Sequence, residues 1–151
     1  MSPGNEETVQ WIEQNKPPAA LFLYLHRRLE WYFAKVLAPY HIGWDQYAIL
    51  MALYEKDGRS GDDIAHQRGF DKAAVAGAVA VLKKEGLVQG TPDPGTGTLR
   101  LTLTEKGRKI EPEMKKIGAG LTAALLGGFD ADGLAQALAA LKKIAINASR
   151  L

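Results

Sequence analysis

The sequence predicts a mainly α-helical chain with a small β-hairpin wing, a winged helix-turn-helix whose terminal helices form a dimerisation domain. Three observations carry this expectation. Two short, separately capped helical segments meet at a Gly-containing turn at Gly69. Two strand-like runs follow them, separated by a loop rich in Pro and Gly. Longer helical segments with apolar stripes flank both features, and helix, helix, hairpin is the order of a winged helix.

Residues 1–16 read as a mobile or loosely docked arm, ended by Lys16-Pro17-Pro18. Pro suits a first helical turn, so a helix is expected from Pro17 to Leu37. Leu21, Leu25, Leu29, Tyr32 and Val36 form its stripe, widened by Phe22, Phe33 and Leu37. A helix apolar on more than one face is deeply buried or packs against two partners. Pro39 and Gly43 interrupt the chain, and Asp45 is a candidate cap for a second helix whose core face holds Ile49, Leu50 and Leu53. Asp57-Gly58-Arg59-Ser60 reads as a turn.

Ser60-Gly61-Asp62-Asp63 resembles a capping box and opens a short helix to about Arg68. Asp71 can cap the next, from Lys72 to about Glu85, with Gly86 at the position where helices commonly stop. Leu87-Val88-Gln89 and the alternating Leu99-Arg100-Leu101-Thr102-Leu103 are the expected strands, joined through Pro92-Asp93-Pro94-Gly95-Thr96-Gly97. A long helix starts at Thr104-Glu105-Lys106-Gly107, its seam Ile110, Met114, Ile117, Leu121 and Ala124 spaced by alternate fours and threes. Gly127-Gly128 ends it. Asp130 caps a last helix striped by Leu134, Leu138, Leu141 and Ala145. The expected organisation is therefore an arm at 1–16, a helical dimerisation region at 17–43 and 107–151, and a winged lobe at 44–106. Two strongly apolar helical ends around a small capped centre imply a symmetric homodimer.

Composition narrows the function. The chain has 151 residues, 46% of them hydrophobic, which suffices for one substantial core. It has no Cys, so disulfide and thiolate chemistry are excluded. No apolar run is long enough to span a membrane, and the opening MSPGNEETVQ lacks the basic and apolar regions of a secretory signal. A cytoplasmic location with no membrane partner is expected. The three His, at 26, 41 and 66, lack the paired spacing of a zinc site. No phosphate loop or nucleophile elbow is present, and no metal or cofactor is expected.

Aromatic and polar groups concentrate in the first third. Tyr24, His26, Trp31, His41, Trp44 and Tyr47 are the candidate ligand-binding residues, because aromatic walls with a few polar groups suit a planar aromatic or phenolic molecule. No catalytic residue is assigned. Were the chain an enzyme, His26 and Glu30, one helical turn apart, would be a base and its orienter, with His41 nearby in sequence. The same residues also read as ordinary packing and a solvated helix pair.

Several segments together resemble the MarR family of ligand-responsive transcription factors. They are Trp44-Asp45-Gln46-Tyr47-Ala48-Ile49-Leu50, Ser60-Gly61-Asp62-Asp63-Ile64-Ala65, Asp71-Lys72-Ala73-Ala74-Val75, Leu82-Lys83-Lys84-Glu85-Gly86-Leu87-Val88 and Leu101-Thr102-Leu103-Thr104-Glu105-Lys106-Gly107. They occur in family order across residues 20–148. The resemblance implies a homodimer on a pseudo-palindromic operator, with a recognition helix in the major groove and a wing toward the minor groove. It also implies a pocket for a small aromatic ligand that shifts DNA affinity. The DNA-contacting positions would be Ser60, Lys72, Ala73, Ala76, Lys83, Lys84 and Arg100.

The chain departs from the family where DNA contacts are expected. Gly77 and Val81 stand at polar or basic recognition-helix positions, Gly90 where an Arg often follows that helix, and Gly95-Thr96-Gly97 where wings carry Asp-Arg-Arg. From Asp45 to Lys109 there are ten basic and nine acidic residues. Two readings result: a ligand-responsive DNA-binding regulator with unusual contacts, or a MarR-like dimer that has lost DNA binding and serves as a small-molecule binder or enzyme.

Overall fold

A computed structural model of the chain describes residues 3–14 and 16–151. Two compact units are present, residues 1–44 and 45–151.

The first unit contains α1 (Pro3–Glu13), α2 (Pro18–Leu37) and a 3-10 turn at Ala38–Tyr40. The segment read as an arm thus carries an 11-residue helix. Its Trp11 ring meets Tyr24 of α2 with centroids 5.9 Å apart, a contact that no local sequence pattern announces. Pro17 is extended and Pro18 begins α2, as expected of a residue with preset φ and no N–H to leave unpaired. Phe33 and Leu37 are buried, whereas Phe22, Leu23, Leu25 and Trp31 stay exposed. The apolar residues of α2 are thus divided between buried and exposed positions.

The second unit begins within α3 (Trp44–Glu55) and continues through β1 (Arg59–Ser60), α4 (Gly61–Arg68), α5 (Lys72–Lys84), β2 (Val88–Pro92), β3 (Leu99–Leu103), α6 (Glu105–Lys109), α7 (Glu111–Leu126) and α8 (Ala131–Ala148). Three of the proposed caps are made. Ser60 Oγ accepts from the Asp63 amide at 3.0 Å, Asp71 from Ala74 at 2.7 Å and Asp130 from Gly133 at 2.8 Å, each satisfying an otherwise orphaned helix N–H. Asp45 is not a cap. The helix starts at Trp44, so Asp45 lies in its first turn, where its charge meets the positive helix end. Gly69 closes α4 at φ 69, a conformation that would strain a side-chain-bearing residue.

Two further expectations are corrected. Arg59-Ser60 is a short strand and not only a turn; β1 pairs antiparallel with β3 (Arg59 opposite Leu101, Ser60 opposite Arg100), giving the order β1-β3-β2. A two-residue strand has too little alternation to be read from sequence. The long helix from Thr104 is also broken. Pro112 lies in the first turn of α7 and has no N–H to continue the ladder from α6, so Ile110 becomes the junction.

The core of this unit is built from Leu50, Leu53, Ile64, Leu82, Leu87 and Leu101, all essentially inaccessible. Tyr54 Oη donates to the Gly107 carbonyl at 2.8 Å. Burial, and then the charge of Glu111, push its pKa upward, so the hydroxyl remains a donor. Gly107 is buried against the Leu87 carbonyl, which a Cβ would overlap. That close approach explains the glycine in Thr104-Glu105-Lys106-Gly107 and locks α6 beneath the wing.

Candidate nucleic-acid interface and ligand residues

The helix-turn-helix is α4 and α5. Val75, Ala78, Val79 and Leu82 bury one side of α5. Its other side is exposed and consists of Lys72, Ala73, Ala76, Gly77, Ala80, Lys83 and Lys84. The outward face is thus small in the middle and cationic at both ends. A Cβ at Gly77 would meet no atom within 4 Å; nothing in the packing requires glycine there. Lys72 Nζ lies 3.4 Å from Asp62, with both side chains well exposed. A cleft of about 290 Å³ runs beside α5, lined by Gly61, Val75, Ala76, Val79, Thr98 and Leu99 among others.

The wing is β2 and β3. Their register pairs Val88 with Leu103 and Pro92 with Leu99. Asp93 organises the loop: its carboxylate accepts from the amides of Gly95 at 2.9 Å and Thr96 at 3.2 Å and from Arg100 Nε at 2.5 Å. The Arg100 bond, then the two amides, hold the Asp93 pKa below the usual aspartate value. Arg100 also donates to the Gly58 carbonyl at 2.9 Å. Asp57 ties the same region down, accepting from the amides of Gly58 at 2.9 Å and Leu103 at 3.0 Å and pairing with Arg108. Gly97 lets the tip turn back with φ 69.

Of the residues expected to touch DNA, Lys72, Ala73, Ala76, Lys83, Lys84 and Arg100 are exposed. Ser60 is 9% exposed and its hydroxyl is engaged as the α4 cap. Residues that the sequence left unmarked are Lys56 and Arg59. They line a second, polar cleft of about 660 Å³ together with His66 and Arg100. The β1–β3 pairing sets Arg59 opposite Leu101, one position from Arg100, and both residues line this cleft.

The ligand candidates are dispersed. Tyr24 is half-buried beside Trp11. His26 and Glu30 are 3.5 Å apart and both well exposed. Trp31 is 57% exposed, with Arg28 and Lys35 over its ring at 5.1 and 5.5 Å. Tyr24 and Trp31, seven positions apart, share a face of α2, and His26 projects from another. His41 adopts the left-handed conformation at φ 57 and is exposed. Trp44 packs on Phe33 with centroids 4.6 Å apart. Tyr47, in the second unit, is buried, and its hydroxyl donates to the Met114 carbonyl at 3.2 Å. Of the enzyme candidates His26, Glu30 and His41, the first two form the exposed pair. Among the described residues, no helix is long and apolar enough to cross a membrane.

Comparison with known proteins gives a consistent picture. The MarR family model matches residues 42–97. A MarR transcriptional regulator from Methanosarcina mazei Go1 is 32% identical, with 87% of this chain and 96% of that one covered and a TM-score of 0.79. YybA of Bacillus subtilis (strain 168), described as an uncharacterized HTH-type transcriptional regulator, is 29% identical over 106 residues, 70% of this chain and 71% of the relative. BpsR of Bordetella bronchiseptica, whose DNA binding is regulated by 6-hydroxynicotinic acid, shares the fold at 22% identity, with 88% and 96% of the chains covered and a TM-score of 0.76.

Proposed function

The chain belongs to the MarR family of transcriptional regulators, and on that premise we propose that it is a homodimer that binds a pseudo-palindromic DNA operator and is modulated by a small aromatic ligand. The observation that carries the DNA reading is the outer face of α5, free along its length, with Lys72 at one end and Lys83 and Lys84 at the other. Such a helix enters a major groove with its cations directed at phosphates on either side. Base readout is sparse. Ala73 and Ala76 offer methyl contacts only, so shape and backbone carry most of the recognition.

The homodimer is supported by α8. It has 18 residues and none is buried, although Leu138, Leu141, Ile144 and Ile146 stand along it at 37–57% exposure. Large apolar side chains left uncovered in this number fit an interaction surface. We assign 17–43 and 107–151 to dimerisation and 44–106 to DNA binding. The ligand reading rests on the aromatic residues of the first third and on BpsR, where an aromatic acid regulates DNA binding. Because Tyr24, His26, Trp31, His41, Trp44 and Tyr47 are dispersed, each is proposed as a separate candidate contact and not as the lining of one pocket.

The missing hydrogen-bonding side chains between Lys72 and Lys83 favour a second reading, a dimer of this fold that binds small molecules without DNA. A fluorescence-anisotropy titration separates the two, using a duplex from the region upstream of the chain's own gene at two salt concentrations. The first reading predicts binding at low salt that weakens steeply as salt rises. No anisotropy change at low salt sinks it and leaves the second.

A further inference from the structure

We propose that the polar cleft between α4 and the β1–β3 pair is a phosphate-binding track for the DNA duplex, with Lys56 and Arg59 as its principal cations and Arg100 as a third. The inference rests on the DNA reading above and adds contacts that neither the recognition helix nor the wing tip supplies.

The cations come from three different places: Lys56 just after α3, Arg59 on β1 and Arg100 on β3. Together they border an open cleft of about 660 Å³. An open cleft bordered by cations from three elements can receive the phosphates of a nucleic-acid strand. Among the described residues, neither Lys56 nor Arg59 enters an ion pair, whereas other charges nearby are neutralised internally. Glu55 pairs with Arg68, Asp57 with Arg108, Asp62 with Lys72 and Asp93 with Arg100. A balanced total charge therefore conceals an uneven surface.

Arg100 serves two purposes. Its guanidinium has five N–H donors; the bonds to Asp93 and Gly58 engage two of them, and the side chain is 54% exposed. Asp93, only 19% exposed at its side chain, fixes the group without shielding it. Asp62 and Asp63 also border the cleft. Both lie in the first turn of α4, whose positive end offsets their charge, and Asp62 is further met by Lys72.

Continuity with the recognition helix identifies duplex DNA as the occupant. Asp62 lines both this cleft and the one beside α5, and Arg100 directly follows Leu99, which lines the latter. A strand held in the α5 groove and continuing past Asp62 would enter this cleft.

The test compares the full chain with Lys56→Gln/Arg59→Gln and with a control of equal charge change, Lys115→Gln/Lys116→Gln on α7, each first shown by sedimentation to keep the wild-type assembly state. Affinity for a random-sequence duplex of about 30 base pairs is measured between 50 and 200 mM salt, after thermal melting has shown each variant folded. Each lost phosphate contact lowers the salt slope by about 0.9, so two shrink the affinity drop over that range by about 12-fold per engaged subunit. The control keeps the wild-type slope. A wild-type slope in Lys56→Gln/Arg59→Gln, or equal losses in both variants, overturns the track while leaving DNA binding intact. Inorganic phosphate shifting the Arg59 Nε resonance with no change in duplex slope assigns the cleft to a free anion and also overturns it. No duplex binding by the wild type removes the underlying reading, and the track with it.

Discussion

Gly118 and Tyr47 show how a single atom constrains a helix interior. A Cβ on Gly118 would stand 2.7 Å from Tyr47 Oη, the atom that donates to the Met114 carbonyl. Glycine inside a helix ordinarily costs about 0.5–1 kcal/mol against alanine, so its presence there reflects the buried hydroxyl. Gly118→Ala is expected to destabilise the chain by about 1–2 kcal/mol, as overpacking does. In a Tyr47→Phe background the oxygen is gone and the same change becomes neutral or stabilising. Urea denaturation of the two single variants and the double variant measures the coupling; additive effects would show that the oxygen is not the obstacle.

At the scale of elements, the wing depends on one carboxylate. Folding lowers the Asp93 pKa, chiefly through Arg100 and then the Gly95 and Thr96 amides. The contribution is present above the unfolded value of about 3.9 and disappears as pH falls through the lower folded value. The Gly95 and Thr96 amide resonances should therefore titrate with an inflection below 3.9; one at or above that value contradicts the arrangement. The elements differ in how legible they were from sequence. Ser60, Asp71 and Asp130 announced their helices because a cap is a local hydrogen bond between residues three apart. The β3 strand announced itself by alternation. Helix α1 lacked a clear apolar stripe, and β1 is defined by its partner, so neither had a local signal. The Pro112 break was present in the sequence but lay within a heptad-like seam that ran across it. The interface followed the same division. Lys72, Lys83 and Lys84 could be placed on α5 by helical spacing, whereas Lys56 and Arg59 gained meaning only when β1 paired with β3. Ser60 was legible as a cap, and its burial in that role was not.

For the whole molecule, the governing fact is apolar surface that one chain does not cover. Helix α2 exposes Phe22, Leu23 and Leu25, and α8 exposes Leu138, Leu141 and Ile144. Burial of such surface contributes about 25 cal/mol per Å², and in the proposed dimer a second copy would cover it and present two recognition helices together. Charges placed on α8 by Leu138→Glu/Leu141→Glu should yield a folded monomer with much weakened DNA binding, because each recognition helix then binds without its partner. The most direct measurement is sedimentation equilibrium of the wild-type chain with a labelled upstream duplex at low salt, run beside this variant. A dimeric regulator predicts two chains per duplex for the wild type and a loss of that species in the variant. A duplex sedimenting alone, or carrying a single chain, would contradict it.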